Sequence, residues 1–185
     1  MTRVLVLLAP GSEELEAVTV IDLLRRAQIE VVTAGLAPGP VTGSRRTVLV
    51  PDATLDDVAN QEFDMVVLPG GQPGATNLER DPRVLKLLRT TAAAGRYTAA
   101  ICAAPKVLAV AGLLDGRHAT AFPGALDAHQ FPKVLLETQA VVRDGTVLTS
   151  RGPGTAMDFA LALIETLTNR ATRDKVESAL VRSPP

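Results

Sequence analysis

The feature that most constrains this chain is a run of six apolar residues, Val4 to Ala9, with no polar position in it. A strand with one face in water alternates, whereas a strand covered on both faces reads as a continuous apolar run. Further strands are read at Asp64 to Leu68, at Tyr97 to Ile101 and at Thr146 to Ser150, with helical stretches between. Glu13 to Ala27 reads as a helix with Ser12 as its N-cap and Glu13 and Glu14 favourable to its dipole. Pro82 to Ala94 and the stretch from Pro105 to Gly112 read as helices with proline in the first turn, where its missing N–H costs nothing. Glu30 to Leu36 is a second strand, Val41 to Val50 a short hairpin broken by Gly43, and Asp144-Gly145 a two-residue hairpin turn before a helix from Thr155 to about Leu167. Strands alternating with helices predict a mainly parallel sheet with helices on both faces. Residues 1–185 are expected to form a single domain, and Arg182 to Pro185 a frayed tail.

Composition narrows the function classes. Nineteen basic and twenty acidic side chains leave a net charge of -1, so the chain carries no electrostatic footprint for nucleic acid. The Arg25-Arg26 and Arg45-Arg46 pairs read as solvated faces or local ion pairs. The first apolar run is too short for a signal or a membrane span. One cysteine excludes an intrachain disulfide framework and fits a reducing cytoplasm. No metal or cofactor is expected.

In sheets of this kind, ligand chemistry gathers beyond the carboxyl ends of the strands. Pro10 to Glu16, Pro69 to Gly74, Cys102 and Arg151 to Thr155 all lie there. Cys102 stands where a strand of small residues stops and a helix begins, so its thiol would face unpaired N–H groups that favour thiolate and lower its pKa. Position alone leaves open the other reading, a small buried core thiol. Gly70 and Gly71 allow either close approach of N–H groups to an oxyanion or an ordinary turn. Gly152-x-Gly154 has Met157 where a dinucleotide loop needs its third glycine. His118 begins a short strand and His129 lies in a loop, and neither context marks a catalytic base. On a helical wheel Ala17, Val20, Ile21 and Leu24 share a face with Glu13 near its centre and Glu16 well off it, so periodicity does not choose Glu16 as a site residue and says only that a glutamate of this first turn can be drawn inward. A glutamate close to a thiolate in a dry cleft would have a raised pKa, because two adjacent negative charges cannot both form cheaply.

Ala9 to Ala17, Ile21 to Leu24, Val67 to Gly71, Ala99 to Pro105 and Leu148 to Ala156, taken in order, resemble the ThiJ/PfpI superfamily. Within it the chain is similar to the YajL-like branch, bacterial relatives of the human parkinsonism-associated deglycase. The resemblance implies a flavodoxin-like sandwich, usually a homodimer, with Cys102 on a nucleophile elbow. It further implies that Glu16 is the protonated partner of Cys102, that Gly71 and Ala103 supply N–H groups near the sulfur, and that Gly70, Phe122, Arg151 and Pro153 line the site.

The activity implied is a cysteine-dependent deglycase or glyoxalase acting on a small dicarbonyl, or on glycated amines or thiols. The alternative is a redox-responsive chaperone or stress sensor. Peptidase members carry histidine directly after the cysteine, where this chain has Ala103. Several relatives also place a histidine at the position of Phe122, so the obvious proton shuttle is missing here.

Overall fold

A computed structural model describes residues 2–182; Ser183 to Pro185, part of the expected tail, lie outside it. In chain order the main elements are β1 (Arg3–Leu8), α1 (Glu14–Arg26), β2 (Glu30–Gly35), β3 (Val41–Thr42), β4 (Val48–Leu49), β5 (Ala53–Thr54), α2 (Leu55–Val58), β6 (Met65–Leu68), α3 (Gly74–Arg80) and α4 (Pro82–Ala93). They continue with β7 (Tyr97–Ile101), α5 (Pro105–Val110), β8 (His118–Ala119), β9 (Leu135–Leu136), β10 (Val141–Asp144), β11 (Val147–Ser150), a 3-10 turn (Pro153–Thr155), α6 (Ala156–Leu167) and α7 (Arg170–Ala179).

Seven strands form one sheet in the order β10-β11-β7-β6-β1-β2-β5, parallel throughout except for the β10–β11 edge hairpin. The unbroken apolar runs have a direct explanation. Val4, Val6 and Leu8 of β1 face a core built with α1, α6 and α7, while Leu5, Leu7 and Ala9 face a second core built with α2 to α5. β6 divides in the same way, Met65 and Val67 to the first core and Val66 and Leu68 to the second. Both faces are dry, so neither half of the alternation can be polar. Phe159, fully buried on α6, is among the largest side chains of the first core.

Two local expectations need correction. Ser12 does not cap α1: its Oγ accepts from Ala9 N at 3.0 Å, and the cap is Glu13, whose carboxylate accepts from Glu16 N at 2.8 Å. The strand before it ends in so tight a turn that the short Ser12 hydroxyl reaches back across it, while the longer Glu13 reaches forward. Arg182, expected to fray, bridges Asp158 at 2.7 Å. The arginine pairs divide between the two readings the sequence allows: Arg25 bridges Asp52 and Arg26 bridges Asp22, whereas Arg45 and Arg46 have no ion pair among the described residues.

The β3–β4 hairpin is held to the first turn of α1 by one carboxylate. Glu14 accepts from Arg45 N at 2.8 Å, Thr47 N at 3.1 Å and Ser44 Oγ at 3.0 Å. Burial opposes its ionisation, but these donors and its own N–H outweigh that and bring its pKa down to about 2. A Cβ at Gly43 would lie 2.7 Å from the Glu14 carboxyl carbon, so the hairpin needs glycine to sit this close. Glu14→Ala is expected to leave two N–H groups without an acceptor, lowering stability by about 1–3 kcal/mol. Amide hydrogen exchange should rise at residues 43–48 first; unchanged protection there would show that the carboxylate does not hold the hairpin.

Candidate active site around Cys102

The carboxyl ends of β1, β6, β7 and β11 bring the predicted segments together. Cys102 follows β7 directly, its N–H donating to Ser150 O at 2.9 Å. Its φ is +64°, a left-handed value that a non-glycine residue adopts only where the surroundings impose it. The chain turns sharply from strand to helix at this residue, which is the elbow that the sequence predicts.

Gly70 is the reason the elbow can pack. A Cβ at that position would lie 2.6 Å from Cys102 Cβ and 2.8 Å from Ile101 O. Gly71, at φ +87°, is confined from its other side, where a Cβ would meet Glu13 N and Gly11 O. The two glycines thread the β6 loop between the elbow and the start of α1. The Gly71 N–H from this loop and the Ala103 N–H from the elbow itself both favour the ionised form of the sulfur.

Glu16, not Glu13, enters the site. It is completely buried, and its Oε2 accepts from Gly70 N at 2.8 Å. Its Oε1 has no hydrogen-bond partner among the described residues, and the Cys102 thiol lies close enough to the carboxyl for each to act on the other's ionisation. The helical wheel misleads here because Glu13 precedes the first helical residue. The opening turn of α1 is also enclosed on several sides, by the hairpin and the Gly70-Gly71 loop as well as by the sheet.

Burial pushes the Glu16 carboxyl up to about 7; the nearby Glu13 charge adds to this, and the Gly70 N–H and the thiol oppose it. The thiol departs from the sequence expectation. Burial, the Glu16 charge and the hydrogen bond to Glu16 push Cys102 up to about 12, against the lowering effect of the Gly71 and Ala103 N–H groups. The helix that was to favour thiolate, α5, has six residues and a correspondingly small dipole, and the sulfur is largely shielded from water. Both shifts describe one coupled pair that keeps at least one proton through neutral pH.

The remaining predicted residues gather beside the elbow, in an open depression that Cys102 itself does not line. Phe122 N donates to Cys102 O at 2.8 Å, which fixes this segment over the elbow. Phe122, Arg151 and Pro153 line one shallow cavity with Pro123 and Gly152. His118 is paired with Glu137 at 2.7 Å on the surface, and His129 is exposed beside Asp127. What the sequence could not reveal was the role of backbone groups: Ser150 O, Gly70 N and Gly70 O are supplied by every residue type, so no side chain signals them.

The sequence profile of the DJ-1/PfpI family matches residues 2–166, and the chain belongs to that family. It is 42% identical over 178 residues to Protein dj-1beta of Drosophila melanogaster, covering 96% of this chain and 95% of the fly protein. The crystal structure of Drosophila melanogaster DJ-1beta superposes with a TM-score of 0.94 over 99% of both chains, at 40% identity. The chain is also 37% identical over 164 residues to the glutathione-independent glyoxalase DJR-1.2 of Caenorhabditis elegans, covering 88% of this chain and 87% of that protein.

Glu16 gives a stability signature with a definite sign. Its folded pKa is raised from 4.5 to about 7, so the folded state holds a proton that the unfolded chain has released. The resulting stabilisation is fully present below the unfolded pKa and is lost as pH rises through the folded one, a total on the order of 3 kcal/mol. Denaturant titrations from pH 4 to 8 should therefore show native protein losing stability relative to Glu16→Gln as pH rises. A pH-independent difference between the two would mean that Glu16 is ionised throughout.

Proposed function

We propose that this DJ-1/PfpI family member is a cysteine-dependent enzyme of the glyoxalase or deglycase type. Its substrates would be methylglyoxal, glyoxal and their early adducts on amines or thiols, and its products hydroxy acids. The observation that carries this reading is the elbow at Cys102, with a buried, protonatable Glu16 on one side of the sulfur and two N–H groups on the other. The relative named as a glutathione-independent glyoxalase supports it.

In the proposed reaction the sulfur adds to the aldehyde carbon. A C–S bond forms, and the carbonyl electron pair moves to oxygen, where the N–H groups of Gly71 and Ala103 would hold it. Glu16 takes the thiol proton in this step and returns it to the oxygen, giving a hemithioacetal. The Glu16 carboxylate then removes the hydrogen on that carbon as a proton, the freed pair forming the C=C bond of an enediolate as the neighbouring carbonyl pair moves to its oxygen; a proton delivered to the neighbouring carbon, with the hydroxyl proton of the first carbon passing to the second oxygen, gives the thioester. The first carbon is oxidised and the second reduced, so no external oxidant is needed. Water cleaves the resulting thioester, releasing the hydroxy acid and restoring the thiol. An adduct on an amine or thiol would release that amine or thiol as well.

A carboxyl with a pKa near 7 suits both directions of proton transfer at neutral pH. Leu15, Val18, Val48 and Val50 are exposed on α1 and the hairpin region, an apolar face that fits a homodimer. The same face could instead hold unfolded clients, as the chaperone reading requires. Protection that is stoichiometric and survives Cys102→Ala would favour that reading. A reducing, cytoplasmic setting suits a lone catalytic thiol.

A product-resolved assay with methylglyoxal tests the proposal. Lactate should form with native protein and not with Cys102→Ser, and Glu16→Gln should turn over on the order of 10²-fold more slowly, the scale of one positioned acid or base. Phe122→His should raise turnover by placing a second proton carrier beside the elbow. Full activity in either the Cys102 or the Glu16 variant would remove the mechanism.

A further inference from the structure

We infer that Glu13 is a positioning residue for Glu16: its carboxylate closes a ring of hydrogen bonds around that side chain and presents an unpaired negative charge to it, which makes Glu16 a stronger base toward the Cys102 thiol. This rests on the reading of Glu16 as the proton carrier and adds the group that tunes it.

Three contacts close on one another. Glu13 N donates to Gly70 O at 2.9 Å, Gly70 N donates to Glu16 Oε2 at 2.8 Å, and Glu16 N donates back to Glu13 Oε2 at 2.8 Å. Glu13 thus reaches Glu16 by two routes, through its carboxylate directly and through its own N–H by way of Gly70. Its carbonyl accepts from Ala17 N at 3.0 Å and carries the same geometry into α1.

Glutamate is an unusual cap. The preferred N-cap side chains are the shorter Ser, Thr, Asp and Asn, and Ser12 stands one residue away. A serine or asparagine would satisfy the Glu16 N–H without bringing a charge, so the charge is what this choice adds. It is not neutralised locally: no Lys, Arg or His forms an ion pair with Glu13 or Glu16 among the described residues.

The groups acting on the Glu16 carboxyl come from three elements. The Gly70 N–H after β6 and the Cys102 thiol of the elbow favour its ionised form, while burial and the Glu13 charge at the start of α1 oppose it. Glu14, on the same turn, is turned to Ser44, Arg45 and Thr47 of the hairpin. Glu13 is therefore the one charged side chain set against ionisation of Glu16. A like charge at this point makes the carboxylate hold a proton more strongly once it has taken one.

Two variants separate charge from capping. Glu13→Gln keeps an oxygen to accept from Glu16 N and removes the charge, whereas Glu13→Asp keeps the charge on a favoured cap. In the proposed reaction the thiol gives its proton to ionised Glu16, so kcat/KM with methylglyoxal should rise with pH through the Glu16 ionisation. In Glu13→Gln this rise should move to lower pH by about half a unit, the size of a close like-charge interaction under water-like screening, and in Glu13→Asp it should stay in place. A slower enzyme with the rise unmoved would overturn the inference, mark Glu13 as a helix cap alone and leave the proposed reaction standing. The second measurement needs no turnover: the carbon NMR signal of the Glu16 carboxyl, identified by its absence in Glu16→Gln, is followed against pH. Its midpoint should fall in Glu13→Gln and be retained in Glu13→Asp. An unchanged midpoint in Glu13→Gln, or an equal fall in both variants, would overturn the inference whether or not any turnover is found. A midpoint that falls only in Glu13→Gln, in protein that forms no lactate, would support the tuning of Glu16 and count against the proposed reaction alone.

Discussion

The site depends on a two-way clamp at residue 70. Gly70 N donates to the Glu16 carboxylate at 2.8 Å, and Gly70 O accepts from Glu13 N at 2.9 Å. One backbone unit thereby fixes the first turn of α1 to the end of β6. Because that unit has no side chain, it can also lie against Cys102, where a Cβ would come within 2.6 Å. Three elements that are far apart in sequence are held in register by the backbone of a single residue and the lack of one methyl group. Any residue larger than glycine would have to displace either the elbow or the helix.

The clamp also explains the electrostatics. A carboxyl buried completely would ordinarily be costly, and here one of its oxygens is satisfied by Gly70 while the other is not. That imbalance favours the protonated form, and the Cys102 thiol is the group on which the proton can bear. Sulfur and carboxyl thus titrate as a pair, the first step near neutrality and the second far above it. Glu14, two residues earlier on the same helix, shows the opposite outcome. It too is buried, but N–H donors from the hairpin surround it and hold it ionised down to about 2. Local donor count, not burial alone, separates the two glutamates.

Much of this architecture is legible in the sequence because its causes are local or periodic. The apolar run from Val4 to Ala9 marks a strand covered on both faces, and Asp144-Gly145 marks the β10–β11 turn. The positive φ of Cys102 follows from its place between a strand and a proline-led helix. What the residues alone could not decide was which glutamate enters the site, since periodicity ranks Glu13 above Glu16. The answer lies in contacts from β6 and the hairpin, which are tertiary. The resemblance to a known family pointed to Glu16 without giving that physical reason. The direction of the thiol shift departs from the sequence expectation for a related cause: a helix start is visible in sequence, whereas the burial and the buried carboxyl that outweigh it are not.

The same contrast bears on the missing histidine. A histidine beside the elbow would supply a proton carrier near neutral pH by its intrinsic pKa. Glu16 reaches the same range through burial, which raises it from 4.5 to about 7. In the proposed reaction, proton transfer therefore does not require an imidazole, and position 122 is released from that duty. Phe122 cannot move protons, and its half-exposed ring stands beside Gly152. The clamp at Gly70 makes the lack of an imidazole there tolerable in the proposed reaction, because the carboxyl that would carry the proton is fixed by backbone and does not rely on whatever side chain occupies position 122.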